Sequence, residues 1–256
     1  MGRDLEGRHA LVTGGGRGIG WACAQALAAA GAKVTLLGRT EAQLKERAGA
    51  LPAAQAIVCD VTDEASVAAA FQEAKAGFGP VALLVANAGQ AESAPFAKTG
   101  TETLRRMLDV NLIGVFHCAQ AALPDMLSAG WGRIVAVAST AGLTGYAYVS
   151  AYCAAKHAAV GLVRSLALET ARSGVTVNAV CPGFTATDLT EQALDAIQAQ
   201  TGRSREQALA ELVRENPQDR LVEPEEVANT VVWLCGTGAS AITGQTVAVA
   251  GGAVMR

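Results

Sequence analysis

Residues 11–27 read LVTGGGRGIGWACAQAL, a short aliphatic run, then a glycine cluster, then an Ala/Leu-rich stretch of helical period. A glycine motif carries meaning when it follows a strand and opens a helix, and this one does both. A helix N-terminus offers unpaired N–H groups and the positive end of a dipole, and glycines let the backbone approach a pyrophosphate closely. The spacing is TGxxxGxG, through Thr13, Gly14, Gly18 and Gly20, with Arg17 and Ile19 inside the loop. It is not GxGxxG, and without GK[ST] it is not a P-loop. The stretch argues for a nucleotide at the first strand–helix junction; the plainer reading is a tight turn in a chain that holds 28 glycines.

Outward from that junction, short β-branched or aliphatic runs recur: HALVT (9–13), KVTLL (33–37), AIVCD (56–60), VALLVA (81–86), RIVAVAS (133–139), VTVNAV (175–180) and QTVAVA (245–250). Segments of helical length and period lie between them, such as IGWACAQALAAAG, DEASVAAAFQEAKAG and LIGVFHCAQAALPDML. Strands alternating with helices imply right-handed βαβ units and a parallel sheet covered on both faces. The expected fold is therefore α/β, a doubly wound seven-stranded parallel sheet. No linker, repeat or composition break divides residues 1–256, which predicts a single domain. One long segment, about 185–220, carries no strand. Its amphipathic patches DLTEQALDAIQAQTG and SREQALAELVRENP join through Gly202, and a helical lid over the substrate belongs at that edge of the sheet.

Composition narrows the function. Apolar residues make up 51% of the 256 and charged ones 17%, which a globular protein needs and a disordered one lacks. A net charge of -3 with scattered Lys and Arg offers no field for nucleic acid. The uncharged run 134–155 is long enough for a bilayer, but the STAGLTGY within it reads as strand, loop and helix start, so no membrane partner is expected. Six cysteines form no CxxC pair and no zinc spacing, and the charged N-terminus carries no apolar leader. Reduced, buried thiols in a cytoplasmic protein without a metal are the expectation.

Further residues fit a dinucleotide. At the end of the second strand an acid would bind the ribose of NAD. Gly38 and Arg39 stand there instead, and an arginine suits the 2′-phosphate of NADP, which Arg17 is also placed to reach. NADP(H) is thus favoured over NAD(H), against the plainer reading of Arg39 as a solvated residue at a helix start. Asp60 closes the third strand, facing the adenine amino group or capping the helix that begins near Asp63. Asn87 and Gly89 end the fourth strand, where a residue without bulk lets a cofactor lie on the backbone, or where the chain simply turns.

The chemistry lies in SAYCAAKHAAVG, residues 150–161, where Tyr152 and Lys156 stand at i and i+4 on one helical face. A phenol near pKa 10 exchanges protons poorly at neutral pH, and an adjacent ammonium favours the phenolate. That would tune Tyr152 as a general acid/base. A solvated tyrosine beside a surface lysine is the commoner meaning of such a pair. Ser139, at the end of the fifth strand, points a hydroxyl into the same crevice and changes that balance. His9, His117 and His157 match no metal spacing and read as packing or surface residues.

Taken together, TGGGRGIG, NAG, Asn111 in DVNLIGVF, Ser139, YCAAK and PGFTATDL resemble the motif set of the short-chain dehydrogenase/reductase family, in order and spacing, over nearly the whole chain. The resemblance implies a Rossmann-like fold and a hydride-transfer oxidoreductase that interconverts a ketone and a secondary alcohol. It implies that Tyr152 exchanges the proton, Ser139 orients the carbonyl oxygen, and Lys156 lowers the Tyr152 pKa and binds the nicotinamide ribose. Asn111, in a locally opened helix, would hold a relay water. It adds Val61, Pro182, Gly183, Phe184, Thr185 and Thr187 to the cofactor site. Two departures stand out: Ala86 replaces the first Asn of the usual NNAG, and Gly38 stands where NAD-using members carry Asp.

The pocket should form from residues 90–98, 141–151 and the lid, with Tyr146 and Tyr148 on its wall. A free carboxylate substrate would want Lys98, Arg203, Arg205 or Arg220. Lid length and RLVEPEEVA resemble 3-oxoacyl thioester reductases, polyketide ketoreductases and 3-hydroxybutyrate dehydrogenases. Reduction of a 3-oxoacyl thioester or related β-keto compound is the leading expectation, and NAD-dependent oxidation of a cyclic or aromatic secondary alcohol the alternative. A catalytically silent dinucleotide sensor would not need the intact Asn111, Ser139, Tyr152 and Lys156. The family resemblance also implies a homotetramer built on the helices that begin near Asn111 and Tyr152 and on the last strand.

Overall fold

The computed structural model describes residues 4–255. Among these, seven strands, β1 (His9–Thr13), β2 (Lys33–Gly38), β3 (Ala54–Val58), β4 (Leu83–Ala86), β5 (Gly132–Val137), β6 (Val175–Pro182) and β7 (Thr246–Val249), pair in parallel. Their order is β3-β2-β1-β4-β5-β6-β7. Side chains alternate across each strand, so the two faces fill separately. Leu11, Leu84, Ile134 and Val177 pack under α3 (Glu64–Phe78), α5 (Gly114–Ala129) and α6 (Ser150–Thr170). Val12, Val85, Val135 and Val180 pack under α1 (Gly18–Ala29), α2 (Glu41–Gly49) and α9 (Pro224–Cys235).

The strand order reverses between β1 and β4, so connections leave that junction in opposite directions and open a crevice at the strands' carboxyl ends. Thr13 pins the two strands there: its hydroxyl oxygen accepts the N–H groups of Asn87 and Ala88, both at 2.9 Å. Between α4 (Thr101–Leu108) and α5 the helix widens into one π turn, Asp109–Ile113. The segment after β6 folds into α7 (Asp188–Thr201) and α8 (Arg205–Val213), joined through Gly202 at φ +68°. Its two ends meet in an isolated parallel bridge, Thr185 to Val222. The EPEEV stretch starts α9 with Pro224 in the first turn and a reciprocal cap between Glu223 and Glu226.

Several strand ends shift by one or two residues from the sequence expectation, and two of the shifts bear on the site. β3 stops at Val58, not Asp60, because it is an edge strand whose only neighbour, β2, ends opposite it at Gly38. β5 stops at Val137, and Ser139 begins a tight turn by accepting the Ala141 N–H at 3.1 Å. Among the described residues no helix is long and apolar enough to cross a membrane.

Candidate active site

A cavity of about 1190 Å³ opens at the crevice between β1 and β4 and runs beneath α7. Among the residues proposed for cofactor and catalysis all but Thr13 and Gly20 border it, and these two stand behind the wall. Thr13 ties β1 to β4, and a β-carbon at Gly20 would lie 2.3 Å from the Gly14 carbonyl, so this glycine is needed for packing, not for contact.

At the phosphate end, α1 begins without a side-chain cap, which leaves the N–H groups of its first turn facing the cavity. Gly14 and Gly18 take φ of +64° and +50°, backbone that side chains disfavour, and Ile19 follows on the cavity wall. Gly183, Pro182, Thr185 and Thr187 close the opposite side, with Thr187 carbon atoms within 3.4 Å of where a Gly18 β-carbon would sit. Arg39 and Val61 border the far end. This open, donor-rich cradle fits a dinucleotide.

At this end one contact was not foreseen and one expectation is corrected. Arg17, on the cavity wall, also reaches Asp188, the first residue of α7, at 3.3 Å. Asp60 does not cap α3; Asp63 does, accepting the Ala65 N–H at 2.9 Å. Asp60 instead accepts from the Thr62 N–H and hydroxyl at 3.0 and 2.8 Å, and those bonds, with a smaller contribution from Arg39, hold its carboxyl below the usual range.

At the chemical end the structure brings Asn111, Ser139, Tyr152 and Lys156 onto one wall. Lys156, only 4% exposed, donates to the Val137 carbonyl at 2.9 Å, and its Nζ lies 5.7 Å from the centre of the Tyr152 ring. Asn111 sits in the π turn, fully buried, and donates to the carbonyls of Gln90 and Met107 at 2.9 and 3.0 Å. The widened turn is what frees this amide to reach the loop after β4. Gly89 is indispensable to the cluster: a β-carbon there would lie 2.8 Å from Asn111 Oδ1 and 3.5 Å from Lys156 Nζ.

The electrostatics depart from the sequence reading, in which Lys156 lowers the Tyr152 pKa. Burial dominates both groups. It pushes the Tyr152 phenol up to about 12, with a hydrogen bond to Ser139 pulling the other way, and it pushes the Lys156 ammonium down to about 8. Tyr152 is therefore held in its acid form at neutral pH.

Some functional contacts carry no sequence signal. Gln90 offers its carbonyl and N–H to Asn111, and Gln43 fills the space in front of Gly16. Among the cations proposed for a carboxylate, Arg203 pairs with Glu211, Arg205 with Glu191 at 2.7 Å, and Arg220 with Glu226 at 2.6 Å. Lys98 is exposed outside the cavity wall. His157 Nδ1 bonds the Cys153 carbonyl and His117 Nδ1 the Val61 carbonyl, as packing residues would. The six cysteines are free and buried.

Residues 14–254 match a family model described as enoyl-(acyl carrier protein) reductase, over the stretch that carries the glycine loop and the Ser139, Tyr152 and Lys156 cluster. The chain belongs to the short-chain dehydrogenase/reductase family. It is 39% identical over 246 residues to the D-beta-hydroxybutyrate dehydrogenase of Cupriavidus necator, a match that covers 94% of this chain and 95% of that one. It is 36% identical over 253 residues to the 3-oxoacyl-(acyl-carrier-protein) reductase of Escherichia coli K12, covering 98% and 99%. A solved actinorhodin polyketide ketoreductase with NADPH superposes with a TM-score of 0.92 at 36% identity, each chain covered to 98%. As a member of this family the chain is an NAD(P)-dependent oxidoreductase of the ketoreductase type, which is an enzyme and not a silent sensor.

Proposed function

We propose that the chain uses NADPH to reduce a β-keto compound that is neutral at its reacting end, foremost a 3-oxoacyl thioester. The state of the four cations named for a carboxylate carries this reading: Arg203 pairs with Glu211, Arg205 with Glu191 and Arg220 with Glu226, and Lys98 stands outside the cavity wall, so none of the four is both unpaired and on the wall. The relatives named for 3-oxoacyl and polyketide ketoreduction agree with it.

In this reading residues 1–256 form one domain, and 185–220 is its lid. The first turn of α1, with Gly14, Gly18 and Ile19, holds the pyrophosphate, and Arg39 the 2′-phosphate. Asp60 and Val61 hold the adenine end, and Asn87, Gly89, Pro182, Gly183, Thr185 and Thr187 the nicotinamide half. Bound NADPH supplies the hydride for the carbonyl carbon. Tyr152 donates its phenolic proton to the carbonyl oxygen as charge develops there, and Ser139 orients that oxygen by a hydrogen bond. With its pKa at about 12 the phenol is loaded for donation, and transfer to an alkoxide, a far stronger base than a phenolate, runs downhill. Lys156 places a positive charge beside the phenolate left behind, and Asn111 anchors the proton path from solvent.

The outer stripes of α5 and α6 expose Phe116, Leu127 and Leu168, which favours a homotetramer packed on these helices. Free buried thiols suit a cytoplasmic setting.

The test follows coenzyme absorbance with NADPH and with NADH, offering acetoacetyl thioester, acetoacetate and cyclohexanone. Fastest turnover with the thioester and NADPH is expected. A preference for acetoacetate, or for NADH, would sink the corresponding half of the proposal.

A further inference from the structure

The chain places its aromatic residues unevenly. All three tyrosines fall between positions 146 and 152, and Phe184, one of five phenylalanines, stands beside them at the cavity. Tyr146 is held firmly. Its hydroxyl donates to Thr140 Oγ1 at 3.0 Å, and its ring meets Phe184 edge-on, with centroids 6.2 Å apart and planes at 76°. Phe184 in turn packs on the Leu194 and Leu212 cluster of the insertion.

Tyr148 is built differently. Its φ of +68° lies in the left-handed region that residues with a β-carbon avoid. Its carbonyl accepts the Ala94 N–H at 2.8 Å, which pins this turn to the loop after β4. The residue is 65% exposed, yet it lines the cavity, as does Leu189 of α7, itself 40% exposed. An exposed ring contributes nothing to the core, and glycine or asparagine would make the same turn without strain. Backbone strain that persists beside an active site points to a role for the side chain it carries.

We propose that Tyr148 is a specificity-determining residue, whose ring forms the outer wall of a flat subsite completed by the Tyr146–Phe184 pair. The subsite takes an aromatic substituent attached beyond the reacting carbonyl, so the preferred substrate is an aryl β-keto thioester. This rests on the reductase reading above and refines it. Aromatic faces add attraction beyond the area they bury, and the Tyr148 ring loses its exposure only when a substrate covers it.

The experiment compares kcat/KM with NADPH for the N-acetylcysteamine thioesters of 3-oxobutanoate and 3-oxo-3-phenylpropanoate. Wild type, Tyr148→Phe and Tyr148→Gly are measured side by side, with thermal melts to show that each is folded. Wild type should prefer the phenyl substrate, and Tyr148→Phe should keep that preference. In Tyr148→Gly the phenyl-to-methyl ratio should fall about tenfold, through KM more than kcat, while the melting temperature holds or rises because glycine relaxes the turn. A ratio unchanged by Tyr148→Gly, or a wild-type preference for methyl, overturns the inference and leaves the reductase reading standing. Absence of NADPH oxidation with both thioesters overturns the two together.

Discussion

Lys156 carries an ammonium into a nearly closed space whose one shown acceptor is the Val137 carbonyl. Burial lowers its pKa from 10.5 to about 8, a difference worth about 3 kcal/mol against the folded state. The sign follows from proton counts. Between about 8 and 10.5 the unfolded chain binds the proton that the folded chain has lost, so stability rises with pH across that window. Below it the penalty is present in full. Lys156→Met removes the charge, and with it this slope. Urea unfolding should show the variant's stability relative to wild type falling by about 3 kcal/mol as pH is raised from below 8 to 10.5. A difference flat across that range would show that the ammonium is better solvated than its surroundings suggest. The direction of the Tyr152 shift was hidden from the sequence for the same reason. An i, i+4 spacing reveals that a phenol and an ammonium are neighbours, and says nothing of how much water either one has lost.

Between elements, the proposed relay depends on the π turn meeting the loop after β4, and Gly89 is where they touch. Gly89→Ala would drive a β-carbon against an Asn111 amide already bound to two carbonyls and unable to swing away. Because Gly89 has no positive φ, alanine fits its backbone, so the fold should survive. Turnover should fall about 100-fold from misplacement alone, with a melting curve close to wild type; full activity would mean that Asn111 is not required where it stands. Much at this scale was legible beforehand. Hydrophobic period located the strands and the two helices of the insertion, and the YCAAK and TGxxxGxG spacings marked residues that the structure brings to the two ends of one cavity. What failed was long-range. The edge position that ends β3 at Val58, and the Arg17–Asp188 pair across 171 positions, depend on neighbours that no local pattern contains. Asp60 and Asp63 are both plausible caps by residue type, and only the place where α3 starts decides between them.

For the molecule as a whole, the sheet's two faces are sealed by helices, but α5 and α6 keep outward stripes in which Phe116 is 44% exposed and Leu168 81%. A second copy on those stripes would bury them. Phe116→Glu combined with Leu168→Glu should therefore lower the mass seen by sedimentation equilibrium, while circular dichroism stays that of the folded chain. A wild-type protein that sediments as a monomer would refute this arrangement. The insertion has a different relation to the whole. Phe184 and Val222 sit at its two feet, where the Val222 N–H meets the Phe184 carbonyl and the Ala186 N–H meets the Val222 carbonyl, both at 2.9 Å. Everything between those feet leaves and rejoins the body of the fold at a single point. Such a cassette can be lengthened, shortened or exchanged at little entropic cost, since loop closure depends only weakly on length. New substrates are thus open to this scaffold by grafting the part of the segment beyond Asp188, with the cradle residues Thr185 and Thr187 and the Tyr152–Lys156 pair left as they are.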